Sequence, residues 1–356
     1  MNSERYTKQM QLKAFGAAGQ KALEDAAVLV VGAGGLGIPV SQYLNAMGVG
    51  KLGVIDGDRV EMSNLHRQPA YGPDAIGEKK VAALRAWLQA QNPDTDLNLY
   101  DFYLTVDNVL DLFRDFDLIV DATDNLATRY LIDDACVLLD LPWIYGALHG
   151  FEGQISVFNY KGGPTYRCVF PNLPSGGEIP DCNTMGTLGV LPGIIGNLQA
   201  LEATKVLANL PGILSGQIMM YQGLYQVVHH LKIRRNPARD LSKPKLKASN
   251  YVCDPGQGSI TLAEFLTVVT PAFKGILIDV REPEEHYQGS IPGSENFPLL
   301  NLENHVSKIV PVSSIILFCK SGARSRQGYE LIRTKYPEQE VQWLIGGIVE
   351  YNLSML

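Results

Sequence analysis

Short apolar runs recur along the chain, and each ends in glycine or polar residues. Ala27-Val28-Leu29-Val30-Val31 holds no polar side chain and predicts a strand buried on both faces. A glycine-rich loop and a helix over about Ile38–Met47 follow, then a second strand at Lys51–Asp56. Lys79–Gln91 has helical spacing, with Val81, Leu84 and Leu88 on one face. Asp117–Asp121 and Gln154–Phe158 predict further strands. This alternation predicts an α/β fold with a Rossmann-like doubly wound sheet.

From Tyr160 to Gly189 the pattern dissolves into chain rich in Gly and Pro, carrying Cys168 and Cys182. A long connection of this kind is expected to be functional or mobile. Helical spacing resumes over Gly193–Leu207, and Arg235–Gly258 reads as a linker. Beyond it lie a helix at Leu262–Val269, strands at Gly275–Val280, Ser314–Phe318 and Val341–Leu344, and a helix after Arg326. They predict a second, smaller α/β unit. The domains expected are residues 1–242, a linker at 243–258, and residues 259–356; no internal repeat is visible.

A chain of 356 residues suits two domains, and its net charge of −7 argues against a nucleic-acid groove or an anionic membrane surface. The uncharged stretch Met185–Ala200 is too short to span a bilayer and holds Pro192. Five cysteines without an apolar leader predict a reducing, cytoplasmic setting.

Gly32-x-Gly34-x-x-Gly37 lies between a predicted strand and helix, with Asp56 at the next strand end. Such glycines let backbone approach phosphate, and Asp56 could accept from ribose hydroxyls. Alone, this pattern favours a dinucleotide, NAD or FAD. The polar run from Asp56 to Gln68, and Lys80 opening the next helix, shift the reading. Attack at the α-phosphorus of a triphosphate builds more charge than a resting pyrophosphate, and Arg67 and Lys80 are suited to neutralise it. Asp124, just past a strand end, could hold Mg²⁺. For Arg67 or Lys80 taken singly, a solvated surface is the simpler explanation.

Residues 1–242 resemble the adenylyltransferases of the MoeB/ThiF family, relatives of ubiquitin-activating enzymes. The resemblance is carried by Arg5–Gln9, Gly32–Gly37, Ser63–Gln68, Gly77–Lys80, Ala122–Asn125 and Gly150–Gln154. It implies ATP-dependent adenylation of the C-terminal glycine of a ubiquitin-like sulfur carrier of the MoaD/ThiS type. By that analogy ATP is surrounded by Gly34, Gly35, Asp56, Ser63, Asn64, Leu65, His66, Arg67, Lys80, Asp124 and Asn125. It also implies a homodimer, with a basic residue reaching the partner's site. That position is Lys8 here, where arginine is common, and lysine lacks the bidentate fork.

Ser314–Phe318 delivers Cys319 into the loop Cys319-Lys320-Ser321-Gly322-Ala323-Arg324-Ser325. Backbone N–H groups and an arginine around a thiol favour the reactive thiolate. Residues 259–356 resemble a rhodanese (sulfurtransferase) domain through Asp279–His286, Gly289–Ser294, the Cys319 loop and Gly346-Gly347. Four residues separate Cys319 from Arg324, where the related phosphatases have five, so the shorter loop favours a persulfide over phosphate. Asp279 and His286 are expected to be scaffold, and Cys136 core packing. Cys182 aligns with a family loop cysteine that approaches the carrier's C-terminus.

Many relatives carry a structural zinc on two Cys-x-x-Cys pairs. Here the first pair reads Thr165-Tyr166-Arg167-Cys168 and the second is missing after Pro237. One thiolate cannot hold tetrahedral zinc, so no structural zinc is expected.

The combined expectation is an adenylyltransferase fused to a sulfurtransferase. Cys319 and Arg324 serve sulfur transfer, Arg67 and Lys80 serve adenylation, and Cys182 resolves an acyl disulfide. The cofactors expected are ATP and Mg²⁺. A cysteine desulfurase is the expected sulfur donor, and molybdopterin, thiamine or tRNA thiolation the type of pathway. The alternatives are a dinucleotide-dependent oxidoreductase with a redox rhodanese domain and a degenerate scaffold that only binds a carrier.

Overall fold

A computed structural model of the chain describes residues 4–173, 186–237, 244–247, 251, 258–270, 272–309, 314–320 and 322–354. They fall into two units, residues 4–173 with 186–251 and residues 258–354, each with its own sheet.

The first sheet has eight strands: β1 (Ala27–Val31), β2 (Lys51–Ile55), β3 (Asp96–Tyr100), β4 (Leu118–Asp121), β5 (Trp143–His149), β6 (Glu152–Phe158), β7 (Gln217–Gln222) and β8 (Val227–Lys232). Their order is β3-β2-β1-β4-β5-β6-β7-β8. The strands from β3 to β5 are parallel, and β6, β7 and β8 continue antiparallel. The wholly apolar β1 is buried because helices cover both faces. Val28 and Val30 join a core with helices Gly37–Ala46, Lys80–Gln91 and Val190–Leu207. Leu29 and Val31 join a core on the opposite face with Val109–Phe113 and Leu126–Leu139. The strand order reverses between β1 and β4, where the loops after both strands meet at their C-terminal ends. Open α/β sheets bind ligands at that switch point.

The second sheet has β9 (Ser259–Ile260), β10 (Ile276–Asp279), β11 (Glu295–Asn296), β12 (Ile315–Phe318) and β13 (Val341–Leu344). All pairings in its order β11-β10-β12-β13-β9 are parallel. Cys319 follows the central strand, whose four residues are all buried.

Several elements differ from the sequence expectation. Periodicity predicts none of β3, β5, β7 and β8; every residue of β8 is exposed, so it shows no alternation. The helix expected from Gly193 begins at Val190, with Pro192 in a first turn that needs no amide donor. The helix expected after Arg326 begins at Ala323, which brings Arg324 and Ser325 into its first turn. Within the expected linker, Tyr251 is 9% exposed and Leu246 packs against the same core of the first unit. Among the described residues, no helix is long and apolar enough to cross a membrane.

Candidate functional site

The glycine loop is tight because its neighbours leave no room for side chains. A Cβ on Gly37 would lie 1.9 Å from Gly32 O, and Gly32, at φ +106°, would place its Cβ 2.7 Å from Ala122 O. The loop is tied to β2 through Asp56. Its Oδ2 accepts from Ala33 N at 2.8 Å and its Oδ1 from Asp58 N at 2.8 Å. Burial pushes the Asp56 carboxyl up, against the pull of Lys80 and these amides.

Lys80 opens the helix after the polar run, and its side chain is 8% exposed. Its Nζ donates to Asp58 Oδ2 at 2.8 Å and stands 3.9 Å from Asp56 Oδ2. Asp58 Oδ1 also accepts from the Tyr103 hydroxyl at 2.6 Å. Burial and then this bond push the Tyr103 hydroxyl up. The segment Met62–Asn64 is a short 3₁₀ turn that buries Asn64, whose Oδ1 accepts from Glu61 N at 3.2 Å. Ser63 and His66 are exposed and Leu65 is half-buried. Arg67 donates from Nη1 to Ser63 O at 2.8 Å, and its own carbonyl lies 3.1 Å from where a Gly35 Cβ would stand. Arg67 and its segment therefore sit against the glycine loop.

β4 supplies the other wall. Asp124 and Asn125 are exposed just beyond it, and Asn125 caps the helix Leu126–Leu139 by accepting from Thr128 N. Beneath them Arg129 Nε donates to the fully buried Asp121 Oδ2 at 2.7 Å, and Arg129 Nη2 donates to the carbonyls of Thr123 and Gly146. Burial opposes the Arg129 charge, but Asp121 outweighs it and holds the guanidinium above its ordinary value. Gln199 Nε2 donates to Asp121 O at 2.6 Å. The structure thus brings Gly34, Gly35, Asp56, Arg67 and Lys80 to one end of the sheet. Lys8 is exposed on a helix spanning Thr7–Met10.

The Cys168 region is held by charge pairs. Arg167 Nε and Nη2 donate to Asp134 at 2.7 and 2.6 Å, and Tyr251 OH donates to Asp134 Oδ2 at 2.9 Å. Asp133 accepts from Tyr166 N, Arg167 N and Trp143 Nε1. Cys168 Sγ accepts from Thr165 N at 3.4 Å and Asn236 N at 3.3 Å. Among the described residues, no group of three or more His, Cys, Asp or Glu is placed to hold a metal ion. Cys136 is fully buried, and burial pushes its thiol up. Cys182 lies outside the described residues.

In the second unit Cys319 is 1% exposed, and its Sγ accepts from Gly322 N at 3.1 Å. The buried Ser325 hydroxyl stands 3.6 Å from the sulfur and donates to Gly322 O at 2.9 Å. Arg324 donates through Nη1 and Nη2 to Glu285 at 2.6 and 2.7 Å. Asp279 is buried and accepts from Arg281 and Ser290, with His286 Nδ1 at 3.0 Å. Burial pushes its carboxyl up, but the Arg281 and His286 bonds prevail and hold it below the ordinary range.

Sequence reasoning missed Asp58, Tyr103, Arg129, Gln199, Ser325 and Glu285 as site components. Asp58, Glu285 and Ser325 stand inside the motif runs read above, but nothing in their spacing names a partner.

A mononucleotide-type sheet end and a strand-borne thiol in separate units define a nucleotide-using enzyme joined to a thiol module. The chain belongs to the ThiF family, which matches residues 6–242, and a Rhodanese-like domain matches residues 233–354. A sulfur carrier protein adenylyltransferase of Thermus thermophilus is 47% identical over 239 residues, covering 66% of this chain and 88% of that protein. An adenylyltransferase and sulfurtransferase MOCS3 of Caenorhabditis briggsae is 33% identical over 99% of this chain and 94% of its own length. In fold, the chain is similar over part of its length to the crystal structure of E. coli MccB with MccA-N7isoASN. That likeness has 19% identity and TM-score 0.60, covering 67% of this chain and 73% of that one. The family decides between the two readings of the glycine loop, for the adenylyltransferase and against the oxidoreductase.

Proposed function

We propose that the protein adenylates the C-terminal carboxylate of a ubiquitin-like sulfur carrier and then gives it sulfur from a persulfide on Cys319. One observation supports this most: the same chain carries a charged sheet end around Lys80 and a thiol that accepts a backbone N–H in a tight loop. The glycine loop, with no space for a Cβ at Gly37, is open to phosphate, and Asp56, Asn64, Lys80 and Arg67 offer partners of both signs around it.

In the first step a carrier carboxylate oxygen attacks the α-phosphorus of ATP. The bond to the bridging oxygen breaks, and pyrophosphate leaves with the electron pair. Lys80 and Arg67 hold the growing negative charge. Asp124 would hold Mg²⁺, which would add positive charge at the phosphates. In the second step the terminal sulfur of the Cys319 persulfide attacks the acyl carbon and AMP departs, leaving an acyl disulfide. Attack by the Cys182 thiol on the Cys319 sulfur releases the thiocarboxylate and leaves a Cys182–Cys319 disulfide, which a cellular dithiol reduces. A homodimer in which Lys8 serves the neighbouring site, a cysteine desulfurase as donor and a cytoplasmic location complete the proposal. So does the division of the chain at 1–242, 243–258 and 259–356, with service to a molybdopterin, thiamine or tRNA thiolation type of pathway.

The decisive experiment incubates Cys319→Ala with a MoaD-type carrier and ATP. ATP–pyrophosphate exchange should persist while thiocarboxylate formation collapses. Loss of both activities in a folded variant would reject this division of labour.

A further inference from the structure

We infer that Glu285 is a specificity-determining residue: by closing the guanidinium fork of Arg324 it disfavours free sulfur oxyanions and favours sulfur carried as a persulfide on another thiol. The inference rests on the sulfur-transfer reading above.

An anion such as thiosulfate is recognised best by a guanidinium presenting two parallel N–H donors. Here Nη1 and Nη2 of Arg324 both point at Glu285, at 2.6 and 2.7 Å. Glu285 is set in place independently of Arg324. It lies on the helix Pro283–Tyr287, and its Oε2 also accepts from Glu282 N at 3.1 Å. That helix is tied to β10 by Asp279, which bonds Arg281 and His286. Arg326, two residues further on, is paired with Glu330 at 3.2 Å. Among the described residues, the Gly322 N–H at 3.1 Å and the Ser325 hydroxyl at 3.6 Å stand close to the sulfur. These donors suit one sulfane atom better than a dianion.

Loading from a persulfide balances without an outside oxidant. The Cys319 thiolate attacks the terminal sulfur of R–S–SH, a new S–S bond forms and the donor S–S bond breaks. The donor sulfur leaves with the electron pair and takes up the proton of the former terminal S–H, giving R–SH and a persulfide anion on Cys319. From thiosulfate the same attack would expel sulfite.

The test follows loading of full-length protein by mass spectrometry, as the mass of one sulfur atom added at Cys319, with glutathione persulfide or thiosulfate as donor. Wild type should load faster from the persulfide. Glu285→Gln should raise the thiosulfate rate about tenfold, because the freed guanidinium fork regains two parallel donors for an anion, and leave persulfide loading within about twofold. Glu285→Asp should keep the wild-type ranking. An unchanged thiosulfate rate in Glu285→Gln, or equal loss with both donors, overturns the inference while leaving sulfur transfer standing. Wild type that loads from neither donor overturns sulfur transfer itself. If Glu285→Gln does not fold, wild type still decides: sulfate should not protect Cys319 from iodoacetamide, and protection at millimolar sulfate overturns the inference.

Discussion

Arg129 and Asp121 form a buried ion pair, Nε to Oδ2 at 2.7 Å, directly beneath the loop that carries Asp124 and Asn125. Arg129→Met would leave Asp121 charged and unpaired in the core. A loss of about 3–5 kcal/mol is expected, because the uncompensated charge keeps its desolvation cost. Urea unfolding of the full chain measures it. A change below about 1 kcal/mol would show that the pair does not support the loop.

Lys80 is held by Asp58 and lies close to Asp56 at the glycine-loop end of the sheet. Lys80→Met should cut ATP–pyrophosphate exchange by about 10²–10³ fold, the usual cost of one preorganised charge-stabilising donor. Sulfur loading of Cys319 should stay unchanged. Equal loss of both activities would point to misfolding instead.

Glu285 is held below its ordinary value of 4.5, first by its hydrogen bonds from Arg324. A depressed carboxylate contributes stability that is fully present above its unfolded pKa and is lost as pH falls through the lower folded value. The second unit should therefore lose stability below about pH 4.5. Glu285→Gln should flatten that part of the profile. Thermal melts from pH 3 to 6 compare the two slopes.

Around Cys168 the links are ionic and hydrogen-bonded: Arg167 to Asp134, and Tyr251 to Asp134. A chelator should leave the melting temperature unchanged, and elemental analysis should find far less than one zinc per chain. Tyr251→Phe should cost about 1.5–3 kcal/mol, one hydrogen bond to a charged, buried acceptor. One zinc per chain would refute the expectation drawn from the missing cysteines.

The glycine loop, Asp56 and the strand that delivers Cys319 were legible in the chain because each depends on neighbours in sequence. A buried strand, a tight turn and a helix start leave local signatures of apolar runs and glycine. The partners of the charged groups leave none. Arg324 and Glu285 are 39 residues apart, Tyr103 and Asp58 are 45 apart, and Tyr251 and Asp134 are 117 apart. β8 escaped notice because an exposed edge strand has no apolar face to alternate.

Sequence alone determined the alternating α/β plan, the tight glycine loop and the thiol at a strand end, since local sterics and hydrophobic period dictate them. Folding in three dimensions decided which carboxylate each cation meets. It placed Lys80 on Asp58, Arg129 on Asp121 and Arg324 on Glu285. The reason is physical: charge pairing acts across space between distant segments, and only the packed sheets bring those segments within hydrogen-bond reach.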